Sequence, residues 1–268
     1  MLFQYYAGLL SPIIATLIWS LLIGIVSYLL VFKTKLFDNL IDHPLAPPFL
    51  CLPAIMFAFL MGFMSSDAWQ NFTQARTALI NESSAISRLV FIPMKNPEEQ
   101  KAYNKNLQDY LEAVLYDEWG KSFNKTPSPK AKEALNGLSV AIWKGSIACV
   151  NGSNKQGECI DSFTSTSLIK AHDDLRNARE QRLSLGYLES VDTKWLLSII
   201  LGLISATSVA AVHRNNQKTS VISLVLFCTS LWISFSIVTM YSNPYKWAER
   251  LEPVPLSSIL DDLKIIQQ

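Results

Sequence analysis

Four stretches of this chain contain no charged side chain and are long enough to cross a lipid bilayer, which limits its possible folds more than any other feature. They run from about Leu9 to Phe32, Pro48 to Met64, Trp195 to Val212 and Ser220 to Tyr241. Roughly 20 residues at a 1.5 Å rise match a hydrocarbon core of about 30 Å. Inside that core every backbone N–H and C=O must be satisfied within the segment, so each stretch is expected to be a helix. Composition fits. Charged residues make up 17% of the chain and hydrophobic ones 50%, whereas soluble domains carry about 25% charge. Met1 to Ser11 lacks the basic start of a cleavable signal, and the apolar run that follows is too long for one, so the first span is expected to remain and to direct insertion.

Between the second and third spans the pattern becomes amphipathic. Trp69, Phe72, Leu79, Ile86 and Val90 recur at helical spacing, so the second span is expected to continue as a long helix ending near Pro93. Asn96-Pro97-Glu98-Glu99 combines a cap, a first-turn proline and acids that the helix dipole favours. The helix it opens carries Tyr103, Leu107, Tyr110, Leu111 and Val114 on one face and stops near Gly120. Ser128-Pro129 repeats the signal for a helix with Leu135, Leu138 and Ile142, and Leu168, Leu175, Leu185 and Leu188 mark another before the third span. The expected fold is all-α: spans one and two in 1–66, a helical extramembrane bundle in 67–192, spans three and four in 193–242, and a tail in 243–268.

Short basic loops favour the cytoplasmic face. Lys33 and Lys35 follow span one, and Arg214 and Lys218 follow span three. These loops share one face, which places both termini and the helical bundle on the other side, in the periplasm if the membrane is a bacterial inner membrane. Trp195, Tyr241, Tyr245 and Trp247 stand where interfacial rings are expected. Cys149 and Cys159 flank the polar loop Asn151 to Glu158. A disulfide there would restrain the loop by roughly 2–4 kcal/mol and suits an oxidising compartment; two unrelated free thiols are the alternative.

The charge balance and scattered ligand types exclude several functions. A net charge of +1 lacks the Lys/Arg excess of a nucleic-acid-binding surface. Three histidines and four cysteines fall at no metal-ligand spacing, and no nucleophile elbow or phosphate-binding glycine loop is present. No cofactor is implied and no enzyme is expected. His172 with Asp173 and Asp174 reads either as an acid–base cluster or as the acidic first turn of a helix. Coupled transporters place ionisable groups within their spans; these four spans hold small and hydroxyl residues instead. Thr16, Ser20 and Gly24 on span one, and Ser198, Gly202, Ala206 and Ala210 on span three, form ridges suited to close helix packing. Ser223, Ser230 and Ser234 either line a cavity or bond between helices.

Two further patterns each support a functional and a structural reading. Met56, Phe59 and Phe63 lie at i, i+3 and i+7 on span two. In a ring of subunits that face could form an apolar constriction; alone it faces lipid. Arg176, Arg179 and Arg182 form a drifting stripe that could meet Arg76, Glu82 and Glu118 in a buried network, or else a solvated face whose pairs contribute under about 1 kcal/mol.

Glu82 to Leu89, Asp117-Glu118-Trp119, Arg179-Glu180-Gln181-Arg182-Leu183 and Trp195-Leu196-Leu197 together resemble the bacterial bestrophin-like domain family, over about Pro48 to Leu260. The resemblance implies four-span proteins with a helical insert and kinship with anion channels that are homopentamers with a pore lined by span two. It implies that Glu82, Tyr110, Glu118, Trp119, Arg179 and Arg182 are marked positions. The expectation is then a homo-oligomeric passive pore for small ions in a lipid bilayer. The alternative is a membrane-anchored scaffold or sensor whose helical domain binds a partner.

Overall fold

The computed structural model describes residues 2–34, 48–92, 97–150, 162–187, 192–246 and 250–266. Among them the chain is entirely helical. In order it forms α1 (Leu2–Phe32), α2 (Pro48–Phe91), α3 (Pro97–Ala113), a π-helical segment (Val114–Lys121), α4 (Pro129–Val150), α5 (Ser162–Tyr187), α6 (Asp192–Val212), α7 (Gln217–Ser242) and α8 (Val254–Ile266). Four of these helices, α1, α2, α6 and α7, are long and apolar enough to cross a membrane. Lys35, Asn96, Leu188, Trp247 and the 151–158 loop lie outside the described residues.

The chain divides into two compact units, one of Met1–Phe72 with Glu189–Glu249, the other of Thr73–Leu188 with Arg250–Gln268. In the first, the small ridges act as packing faces. Ser198, Gly202, Ala206 and Ala210 are all buried, and the Thr16 and Ser236 hydroxyls bond at 2.8 Å across α1 and α7. Hydrocarbon supplies no hydrophobic drive between helices, so close van der Waals approach and such bonds hold them. Gly24 is required for that approach, since a Cβ there would lie 2.7 Å from the Cys228 Sγ. Ile23, Phe57, Met61, Leu231 and Phe235 fill the centre, with the Phe57 and Phe235 rings edge-on at 6.1 Å. Ser230 bonds to Leu226 O of its own helix. Of the expected interfacial rings, Tyr245 is instead fully buried.

The second unit is built on leucine and alanine faces. Ala75, Ala78, Leu79, Ile86 and Leu89 of α2 are buried, as are Leu107, Leu111, Leu138, Leu168 and Leu175 of the helices that follow. The residues expected to be a plain tail include α8, whose Leu256, Leu260 and Leu263 are buried at i, i+4 and i+7. Trp119 Nε1 donates to Leu251 O at 3.2 Å, tying that segment down. The Tyr103 hydroxyl donates to Leu89 O at 3.2 Å, satisfying one of the end carbonyls that a helix leaves without an internal partner.

Candidate functional site

The second unit encloses a polar cluster centred on Arg182, which is fully buried. Its Nε donates to Glu82 Oε2 at 2.6 Å and its Nη2 to Glu82 Oε1 at 3.0 Å, a two-pronged pairing that the planar guanidinium allows and an ammonium does not. Nη2 also donates to Glu118 Oε2 at 2.8 Å, and Nη1 donates to Asn124 Oδ1. The guanidinium lies over the Trp119 ring, 5.1 Å from its centroid, a cation–π placement. Glu118 Oε1 accepts from Arg179 Nη2 and from the Ser128 backbone N–H at 2.8 Å. The Tyr110 hydroxyl donates to Glu82 Oε1 at 2.6 Å. Two acids face two arginines, so the cluster is formally neutral. It joins α2, α3, the π-helical segment and α5.

Local backbone chemistry presents these groups. The π-helical segment widens the last turns of the α3 helix and carries Glu118 and Trp119, both buried. It ends in a turn where Phe123 and Asn124 take positive φ, 51° and 58°, a region that Asn tolerates and a bulky ring disfavours. Asn124 N–H donates to Glu118 O at 2.7 Å, which closes the turn and points its side-chain oxygen at Arg182. Ser128 then begins α4, with its Oγ accepting from Ala131 N–H.

Of the six charged residues expected here, the structure brings together Glu82, Glu118, Arg179 and Arg182. Arg76 is exposed, and Arg176 pairs with Glu180 at 3.3 Å on the surface of α5. The reason is helical phase. At about 100° per residue, six residues rotate a side chain about 120° away from its starting face, so Arg76 faces away from Glu82 and Arg176 from Arg182. Tyr110, Trp119 and Asn124 complete the cluster. The first two were marked only by the family resemblance, and Asn124 had no sequence signal beyond its tolerance of positive φ.

Electrostatics hold Glu118 and Arg182 charged. Burial alone would raise the Glu118 carboxyl, but the Arg182 charge and the Arg179 hydrogen bond outweigh it, and its pKa falls below the ordinary 4.5. Burial pulls Arg182 down, yet Glu82 and Glu118 more than reverse that and raise it. Burial and the Glu82 charge push the Tyr110 hydroxyl well above its ordinary 10.0. A carboxyl lowered by folding contributes stability in full above about pH 4.5, lost as pH falls through its folded value; a phenol raised by folding contributes in full below about pH 10, lost as pH rises through its own. Thermal unfolding of the full chain in detergent should therefore show a plateau between those limits and decline on both sides. Equal melting temperatures at pH 4 and pH 7 would contradict the Glu118 assignment.

Gly186 sets the distance between α5 and the turn. A Cβ there would meet Asn124 O at 2.2 Å and its carbonyl carbon at 2.6 Å. Backbone cannot swing aside as a long side chain can, so Gly186→Ala should cost at least the ~1–3 kcal/mol typical of overpacking. Denaturant unfolding would measure this, and a loss below about 0.5 kcal/mol, the range of neutral surface changes, would mean that the contact yields.

In the first unit, Met56, Phe59 and Phe63 project from α2 with exposures of 56%, 65% and 67%. The opposite side of the helix buries Phe57, Met61 and Met64. The other clusters resolve differently. His172, Asp173 and Asp174 lie midway along α5, not in a first turn. There His172 Nε2 lies 3.3 Å from Leu135 O and Asp174 pairs with Arg88 at 2.7 Å. No group of three potential metal ligands occurs among the described residues. The pairing of Cys149 with Cys159 lies outside the described residues.

Comparison with known proteins identifies the family and the fold. The sequence matches the family described as "Bestrophin-like domain" over residues 42–256. No curated protein sequence matches the chain. Crystal structures of three point variants of a bacterial bestrophin homologue from Klebsiella pneumoniae superpose with TM-scores of 0.67, 0.67 and 0.68 at 16%, 16% and 15% identity. They cover 95%, 97% and 95% of this chain and 98% of theirs. At that identity the likeness is one of fold.

Proposed function

This chain belongs to the bestrophin-like domain family, and on that premise we propose that several copies form a passive ion channel whose path is lined by α2. The observation that carries this reading is how little of α2 its own subunit covers. Leu52, Ile55, Met56, Phe59 and Phe63 are each half exposed or more. The uncovered side presents Met56, Phe59 and Phe63, a stripe that neighbouring copies would turn toward a shared axis. Rings of bulky apolar groups gate by expelling water from a narrow segment. The apolar stretches carry no Asp, Glu, Lys, Arg or His, which suits passive flow better than transport coupled to a proton or ion held midway. The reading is of a channel and not an enzyme.

Recording from the purified full chain in planar bilayers tests it. Unitary currents are expected under a simple ion gradient; their absence from a preparation that is monomeric would favour an anchored scaffold or sensor. From the short basic loops we further propose that the second unit lies outside the cytoplasm. A cysteine introduced at exposed Lys121 should react with an impermeant label in intact cells, and protection of that site would reverse the orientation.

A further inference from the structure

A groove of about 410 Å³ runs between α1 and α7, lined by Leu21, Gly24, Ile25, Val225, Thr229 and Trp232 among others. Its size falls in the ~300–1,000 Å³ range of small-molecule sites. The lining on α1 extends from Leu17 to Leu29, about 18 Å at 1.5 Å per residue. That is a little over half of a hydrocarbon core about 30 Å thick, the depth one leaflet's chain occupies. The wall is apolar, and its polar atoms are engaged elsewhere: Trp232 Nε1 donates to Ile13 O and the Thr229 hydroxyl to Val225 O. Gly24 brings its floor to the Cys228 sulfur.

The mouth of this groove differs chemically from its body. Gln217 Nε2 donates to the Tyr28 hydroxyl at 2.7 Å, which fixes the last turns of α1 beside the first turn of α7. Lys33 lies about one turn beyond the lining residue Leu29, its N–H donating to Leu29 O at 2.9 Å, and Lys218 lies about one turn before the lining residue Val221; both are exposed. The described residues at this end, 28–34 and 213–221, hold Lys33, Arg214 and Lys218 and no acid.

We propose that this groove is a binding site for an anionic glycerophospholipid, with one acyl chain between α1 and α7 and its phosphate held by Lys33 and Lys218. A basic mouth beside an apolar slot of one-leaflet depth selects an amphiphile with a negative head, since each cation near a membrane surface attracts anionic lipid measurably. A zwitterionic lipid would fill the slot too, but its own ammonium already offsets its phosphate charge, so it would gain far less at the mouth. The site goes beyond the channel reading and does not depend on it, because binding is read without any current.

Native mass spectrometry of the full chain, delipidated and then given phosphatidylglycerol or phosphatidylcholine, tests it. Phosphatidylglycerol should be retained on the order of tenfold better, as two cations at the mouth would produce. Lys33→Glu with Lys218→Glu should abolish that preference while leaving retention of phosphatidylcholine unchanged. Thr229→Trp, which blocks the slot, should reduce retention of both lipids. Equal retention of the two lipids by the unaltered chain would overturn the proposal, as would a preference that survives charge reversal. A Thr229→Trp chain that keeps its lipid but changes its number of copies would show that a second copy occupies the groove instead. If Thr229→Trp does not fold, the two exposed lysines alone decide the matter.

Discussion

Arg182→Ala should unfold or nearly unfold the second unit, with a loss of about 3–5 kcal/mol, the range for removing one partner of a buried ion pair. Arg182, Glu82 and Glu118 are all fully shielded from solvent. Removing the guanidinium leaves the buried Glu82 carboxylate without a counter-charge and Glu118 with Arg179 alone, and it strips the Trp119 face of its cation. Arg182→Lys should recover only part of the loss, because an ammonium cannot make the paired contact with Glu82 while also reaching Glu118 and Asn124. Arg76→Ala and Arg176→Ala serve as controls. Both side chains lie on the surface, and changes there stay within about 0.5 kcal/mol. Chemical unfolding followed by Trp fluorescence checks the series. Comparable losses for Arg176→Ala and Arg182→Ala would remove the cluster from its central place in the fold.

The second large effect concerns conduction. Phe59→Ala combined with Phe63→Ala should raise current at a given protein density by at least roughly tenfold, the change expected for each 1.4 kcal/mol removed from a barrier. If apolar rings hold the path dry, removing two of them widens it and lowers the cost of wetting. The experiment is clean because both rings are about two-thirds exposed in the subunit, so truncation should leave folding nearly untouched. Bilayer recordings of wild type and double variant, at matched melting temperature, give the comparison. Unchanged current from a well-folded double variant would mean that α2 does not narrow the path.

How much could be read from the residues alone follows from the period of each signal. The spans were legible because a run of twenty uncharged apolar residues has few structural uses besides a membrane helix. The break at Ser128-Pro129 was legible because proline fixes φ and suits a first turn, and α4 does begin at Pro129. Glu82, Glu118, Arg179 and Arg182 were recognisable as members of a network, but their partition from Arg76 and Arg176 depends on helical phase, and a stripe at three-residue spacing slips across a helix face. Asn124 was invisible. Its role needs the π-helical widening and a positive-φ turn, neither of which leaves a periodic trace in the sequence. α8 could have been found, since Leu256, Leu260 and Leu263 keep helical spacing, but a short stretch after two prolines reads equally well as a tail. The lipid groove depends on which residues of α1 and α7 meet, information that hydropathy does not carry.

Everything about conduction requires that α2 be enclosed by other copies of the same chain. Native mass spectrometry of the full chain ejected from lipid nanodiscs addresses that directly. The account predicts a single closed assembly at a whole multiple, above two, of the 30.1 kDa subunit mass, unchanged across protein concentrations. A monomer at 30.1 kDa as the dominant species would contradict it.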